Sequence, residues 1–220
     1  MAKKEKQKLN AVSKWFRTLR RAVPFLYRPI FPYKKYGHTE QYKDRAYIFV
    51  GNHLSVLDVV FPAISTNRAV HFMAKKCLFE KGLMKWFTKK CECIPVNRDG
   101  TDVKAVMQAM KYLKNDECVV IFPEGTRNKT NERFLPFRGG ATAISIKTKT
   151  PIIPMVQVKK IRIFRRAHVL IGDPMEFTEY YDKRLTEEDI NKCDDILRDK
   201  LNEMYDQLAE ILSKKRGKKA

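Results

Sequence analysis

Tyr47-Ile48-Phe49-Val50-Gly51 runs directly into Asn52-His53-Leu54-Ser55-Val56-Leu57-Asp58. The first five residues are continuously apolar, as expected of a strand buried on both faces of a parallel sheet. The next seven turn polar and lead into a short helical pattern over 56–65, so the stretch predicts strand, turn and helix in succession. The same alternation recurs along the chain. Apolar runs predict further strands near 69–73, 118–122, 152–158 and 168–171, with the first at 46–50. Between them Val103, Val106, Met110 and Leu113 form one helical stripe, with Thr101 as its N-cap, and 139–147 is a shorter helix. Thr186 opens a long one that carries Ile190, Cys193, Leu197, Leu201, Met204, Leu208 and Ile211 on one face. Strands alternating with helices predict an α/β fold: a single domain with a mainly parallel sheet flanked by helices. No internal repeat is evident.

The opening stretch also carries chemistry. His53 and Asp58 are five residues apart, which aligns them poorly on one straight helix. They meet if His53 lies in the turn and Asp58 one turn into the helix. A carboxylate so placed holds one ring nitrogen protonated and leaves the other as a base near neutral pH. A second strand end, Cys118-Val119-Val120-Ile121, leads into Phe122-Pro123-Glu124-Gly125-Thr126-Arg127-Asn128. Open α/β sheets place ligands beyond the carboxyl ends of their strands. Glu124 and Arg127 flank a Gly-Thr turn where the backbone can approach closely, and arginine suits two-pronged contact with a phosphate.

Together these segments resemble the glycerolipid acyltransferase family that includes the 1-acyl-sn-glycerol-3-phosphate acyltransferases. The family's sequence blocks occur in order: Asn52 to Asp58; Ala74-Lys75-Lys76-Cys77-Leu78-Phe79 with Ile94-Pro95-Val96-Asn97-Arg98; Phe122 to Arg127; and Pro151-Ile152-Ile153-Pro154-Met155. Cys77, Gly82 and Asn97 depart from the glutamate, proline and aspartate common at those places. The resemblance spans about residues 45–175. It implies that His53 is a general base oriented by Asp58, and that Lys75, Arg98, Glu124, Gly125, Thr126 and Arg127 bind a phosphate-bearing acceptor. The implied reaction moves an acyl group from a thioester of acyl-carrier protein or coenzyme A to the sn-2 hydroxyl of lysophosphatidic acid, forming phosphatidic acid, with no cofactor and no metal. Glycerol 3-phosphate or another lysolipid is the alternative acceptor within the class.

The formal charge of +20 is unevenly distributed. Residues 1–36 contribute +10 and 213–220 contribute +5, leaving +5 for the rest. In the N-terminal block Leu9, Val12, Phe16, Leu19 and Val23 recur every three or four residues, with lysines and arginines on the remaining arc and Trp15 at the border. This predicts a basic amphipathic helical arm over 1–36 that lies on an anionic membrane surface. The acyltransferase domain then covers 37–213 and a basic tail 214–220. The run from Pro24 to Tyr33 is broken by three prolines. It is too interrupted for a spanning helix or a secretory signal. The expected location is the cytoplasmic face of the cell membrane, peripheral or monotopic.

So large a charge also fits a nucleic-acid-binding protein, or a lipid-binding module without catalysis. The basic residues concentrate at the ends rather than on a recognisable module, and neither class needs the His-Asp pair, so no specific nucleic acid is expected. Five cysteines at 77, 91, 93, 118 and 193 form no zinc pattern and suggest a reducing compartment without disulfides. Cys118 reads as a small core residue, His38, His71 and His168 as structural or solvent-facing, and Leu83, Met84, Trp86 and Phe87 as core.

Overall fold

The computed structural model describes residues 27–38, 42, 44–80, 82–97, 102–138 and 140–217. Most of the predicted amphipathic arm, Thr101 and Arg98 lie outside them. Seven strands are described: β1 (Tyr33–Gly37), β2 (Ile48–Gly51), β3 (Val70–Lys75), β4 (Ile94–Val96), β5 (Cys118–Ile121), β6 (Ile152–Val156) and β7 (Ala167–Ile171). They form one sheet in the order β1-β7-β6-β2-β5-β3-β4. All neighbours are parallel except β6 and β7. The α/β fold with a mainly parallel sheet is therefore the one predicted.

Among the described residues the longer helices are α1 (Val60–Ser65), α2 (Gly82–Lys90), α3 (Val103–Lys114), α4 (Gly140–Thr148) and α5 (Glu187–Gly217). Because side chains alternate across a strand, β2 feeds two cores at once. Ile48 and Val50 join Ala105, Ala109, Ile144, Leu197 and Leu201 from α3, α4 and α5 on one face. Phe49 joins Phe61 and Ile64 of α1 on the other. The predicted stripe of α5 is buried as expected, with Cys193, Leu197, Leu201 and Leu208 fully enclosed. Thr186 caps it, its hydroxyl accepting from the Asp189 amide at 3.1 Å. Cys118 is fully buried in β5, and burial pushes its thiol up to about 12. Among the described residues, no helix is long and apolar enough to cross a membrane.

The observed elements refine four readings. Both strands missing from the prediction are edges of the sheet. The charged β1 (Tyr-Lys-Lys-Tyr-Gly) and the proline-bearing β4 (Ile-Pro-Val) are the kinds of sequence that edges tolerate. Residues 33–36, which charge alone placed in the arm, pair with β7, so the folded body begins before residue 37. It also extends past 213, since α5 runs to Gly217 and Lys215 donates to the Tyr36 hydroxyl at 3.0 Å. The N-cap of α3 is Asp102, accepting from the Ala105 amide at 3.0 Å. Finally, Leu83 and Trp86 are not core residues: they are 79% and 53% exposed.

Gly51 closes β2 immediately before the His53 turn. A Cβ there would lie 2.4 Å from the Met155 carbonyl oxygen of β6, so only glycine allows this close strand approach. Gly51→Ala should destabilise the domain by about 1–3 kcal/mol, the usual cost of overpacking. Chemical denaturation measures it, and an unchanged midpoint would show that the β2–β6 contact yields.

Candidate active site

Parallel pairing brings the two chemistry-bearing segments together. Val50 is in register with Ile121, so the residues after β2 and after β5 leave the sheet side by side. After β2 the chain enters a 3₁₀ turn (Val56–Val59), which Ser55 caps by accepting from the Leu57 amide at 3.3 Å. The turn places Asp58 back under the preceding residues. Asp58 Oδ2 lies 3.1 Å from His53 Nδ1 and also accepts from the backbone amides of Leu54 (2.7 Å) and Ser55 (2.6 Å). The aspartate side chain is 1% exposed and the histidine 16%. Facing a carboxylate that already accepts two amides, Nδ1 is the protonated nitrogen, and Nε2 is left as the basic one. The ring stacks on Phe122, centroids 4.0 Å apart and 12° from parallel.

Glu124 holds the other side of the imidazole loop. Its Oε1 accepts from the His53 backbone amide at 3.1 Å and its Oε2 from the Leu135 amide at 2.9 Å. Both oxygens are thus committed to backbone donors, and the carboxylate is buried behind the site. Burial lifts its pKa above the ordinary range, against the opposing pull of those two amides. Gly125 adopts φ +65°, and a Cβ there would press on the Arg138 side chain at 2.9 Å. The positive φ is what favours glycine in this turn, since the Arg138 side chain can shift aside. Thr126 is half-buried and Arg127 exposed.

Arg127 lines a cleft of about 430 Å³ together with Asn52, Leu54, Lys129, Glu132, Arg133 and Lys160. Lys75 ends β3, the strand beside β5, and is exposed on the same edge. Of the sequence-predicted residues, the structure thus gathers His53, Asp58, Glu124, Gly125, Thr126 and Arg127 around adjoining strand ends, with Lys75 one strand further. No group of acidic, histidine or cysteine residues arranged to hold a metal occurs among the described residues.

Several supporting residues have no distinctive sequence signal. The Asn128 amide donates to the His53 carbonyl at 2.7 Å, while its carboxamide holds Glu132 and Thr130. Asn52 and Gln157 form a reciprocal pair across β2 and β6, at 2.7 and 2.9 Å. Both asparagines were in the segments that the sequence singled out, but nothing in their spacing marks which backbone they brace. The remaining histidines are structural. His71 lies buried between Glu117 (2.7 Å) and the Glu92 carbonyl and stacks on Tyr112, and His168 pairs with the Tyr36 hydroxyl.

The profile of the Acyltransferase family matches residues 33–158, more than half of the chain, and spans the segments that carry His53, Asp58, Lys75 and Glu124 to Arg127. The chain belongs to the Acyltransferase family. This acyltransferase is 27% identical over 153 residues to the 1-acyl-sn-glycerol-3-phosphate acyltransferase of Bacillus subtilis, covering 67% of this chain and 75% of that one. It is 35% identical over 123 residues to the Helicobacter pylori protein of the same description, covering 54% and 51%. It thus spans about half the length of that relative, and 56% of the Streptococcus pneumoniae one. The crystal structure of the 1-acyl-sn-glycerophosphate acyltransferase from Thermotoga maritima shares the fold, with a TM-score of 0.63 at 22% identity over 90% of this chain and 82% of that one.

Replacing Glu124 tests the brace of the acyltransferase site. Glu124→Gln must turn an amide NH₂ against one of two backbone N–H donors. It should cost about 1–3 kcal/mol, the penalty for an unmet buried group. The wild-type carboxyl binds its proton more tightly folded than unfolded, so it disfavours the folded state as pH rises through the elevated value. The variant should lose that dependence. Denaturation at several pH values reads both effects, and a variant as stable as wild type would show that the two hydrogen bonds do not hold the loop.

Proposed function

We propose that this acyltransferase moves an acyl group from a thioester to the sn-2 hydroxyl of 1-acyl-sn-glycerol 3-phosphate, forming phosphatidic acid, with His53 as general base. The observation that carries this reading is the 3.1 Å contact between His53 Nδ1 and an Asp58 oxygen already fixed by two amides, which leaves Nε2 as the acceptor of a proton. The relatives described as 1-acyl-sn-glycerol-3-phosphate acyltransferases supply the acceptor.

In the reaction the hydroxyl oxygen attacks the thioester carbonyl carbon as Nε2 takes its proton. Asp58 stabilises the imidazolium that forms. The tetrahedral intermediate then expels the thiolate, which recovers a proton from the imidazolium, so the products are phosphatidate and a free thiol. Arg127 and Lys75 hold the acceptor's phosphate and thereby present its hydroxyl, a gain in proximity; Arg98 is assigned to the same task from the sequence resemblance. Glu124 and Gly125 act by holding the backbone that carries His53 and Arg127. Acyl-carrier protein and coenzyme A both suit a basic surface as donors. The N-terminal basic amphipathic arm attaches the enzyme peripherally to anionic membrane, where its acceptor resides, on the cytoplasmic face.

His53→Ala should lower turnover by ~10²–10⁴-fold, the usual contribution of general-base assistance, while the thermal unfolding curve stays close to wild type. A folded His53→Ala protein that still forms phosphatidate at a near-normal rate would overturn the mechanism. Arg127→Ala should instead raise KM for lysophosphatidate, by roughly tenfold or more for a lost charge-assisted contact. Unchanged KM in steady-state assays would remove Arg127 from the phosphate site.

A further inference from the structure

Two exposed segments flank the active site, and both combine large apolar side chains with an excess of positive charge. The first, residues 75–90, follows β3 through a 3₁₀ turn (Lys76–Phe79) into α2. Leu83 and Trp86, three residues apart, share one helix face and are 79% and 53% exposed. Thr88 is buried and Phe87 packs inward on the aromatic core, which fixes the orientation of that face. Every charged residue of α2 is a lysine: Lys85, Lys89 and Lys90.

The second segment, residues 159–166, follows β6. Its tip presents Ile163 and Phe164, 60% and 76% exposed, among Arg162, Arg165 and Arg166. Phe164 is held at φ +55°, a conformation unfavourable for a bulky residue, and burial does not compensate for it. The Phe164 amide donates to the Ile30 carbonyl at 2.7 Å, so the tip is tied to a neighbouring segment whose Ile30 is also exposed.

The two segments leave the sheet on one edge. β3 and β6 run parallel to β5 and β2, so residues following them emerge on the side where His53 and Glu124 stand. The charge is equally lopsided. The folded body from 33 to 217 carries a net +10, and 75–90 and 159–166 supply +5 each, so the remainder of the body is neutral overall. An anionic surface therefore attracts this edge more strongly than the rest of the body.

We propose that the catalytic edge itself docks on an anionic lipid bilayer, with Leu83 and Trp86 on one side of the site and Ile163 and Phe164 on the other entering the headgroup region. The proposal rests on the phosphatidate-forming reading above and adds an orientation to it. Lysines and arginines gather at the anionic headgroups, and tryptophan sits at the membrane–water boundary. The active site then faces the surface that holds its acceptor, and lysophosphatidate reaches His53 without its acyl chain crossing water.

The chain holds two tryptophans, Trp15 and Trp86, so Trp15→Phe makes Trp86 the sole reporter in the full-length protein. Phosphatidylglycerol-containing vesicles should shift Trp86 emission to the blue, and brominated lipid should quench it; vesicles of phosphatidylcholine alone should do neither. Unquenched Trp86 in protein that sediments with anionic vesicles overturns the proposal. So does shielding of Trp86 that depends on protein concentration and needs no lipid, which would mark a contact between copies. In a second experiment Leu83→Asp/Phe164→Asp, at two exposed positions, should lower turnover on vesicle-borne lysophosphatidate by ~10-fold or more while changing turnover on a short-chain monomeric acceptor by less than about twofold. Equal losses on both acceptors, or no loss on vesicles, overturn it. Absence of phosphatidate from the wild-type enzyme with either acceptor would instead refute the reaction and leave the quenching result standing.

Discussion

A single carboxylate oxygen organises the candidate active-site end of this fold. Asp58 Oδ2 accepts from the imidazole of His53 and from the amides of Leu54 and Ser55. It therefore ties the start of the 3₁₀ turn to the end of the loop that precedes it. Burying a carboxylate is costly unless donors surround it, and these three donors are all local. The same contacts fix the ring's orientation, so the folding constraint and the chemical one are satisfied by the same atom. Stacking on Phe122 and the hydrogen bond from the Asn128 amide then lock the imidazole loop to the segment after β5.

The sheet makes this arrangement rigid. β2 is buried along its whole length and pairs with β5 on one side and β6 on the other. Any residue that continues past those strands is consequently delivered to one edge. Glu124 exploits this: it is distant in sequence from His53, yet one oxygen reaches the His53 amide and the other the Leu135 amide. A fold that places strand ends in register can so assemble a site from loops that share no sequence continuity. The basic and apolar segments after β3 and β6 reach the same edge for the same reason, which links the chemistry to the surface that would supply its substrate.

Much of this was legible in the residue pattern. Continuous apolar runs identified β2, β3, β5, β6 and β7 because strands in a parallel sheet are buried on both faces. The stripe from Cys193 to Leu208 identified α5 because one face of that helix covers the core. The edges were not legible. β1 carries two lysines and β4 a proline, and short strands with one open side have weak periodicity. Apolar character also misled at Leu83 and Trp86. Composition cannot tell an apolar residue that faces the core from one that faces outward when the helix that carries it is short and amphipathic.

Residue pattern was enough to predict the alternation of strands and helices, the pairing of His53 with Asp58, and the glycine and arginine of the turn after β5. Those are local matters, decided by side-chain period, by turn chemistry and by contacts within five residues. Long-range packing was needed to show that Glu124 braces the His53 backbone, that Asn128 and Gln157 support the loop ends, and that the lysines of α2 and the arginines after β6 share an edge. Each of these depends on which strands are neighbours, and strand order is settled by burial summed over the whole sheet rather than by any one segment.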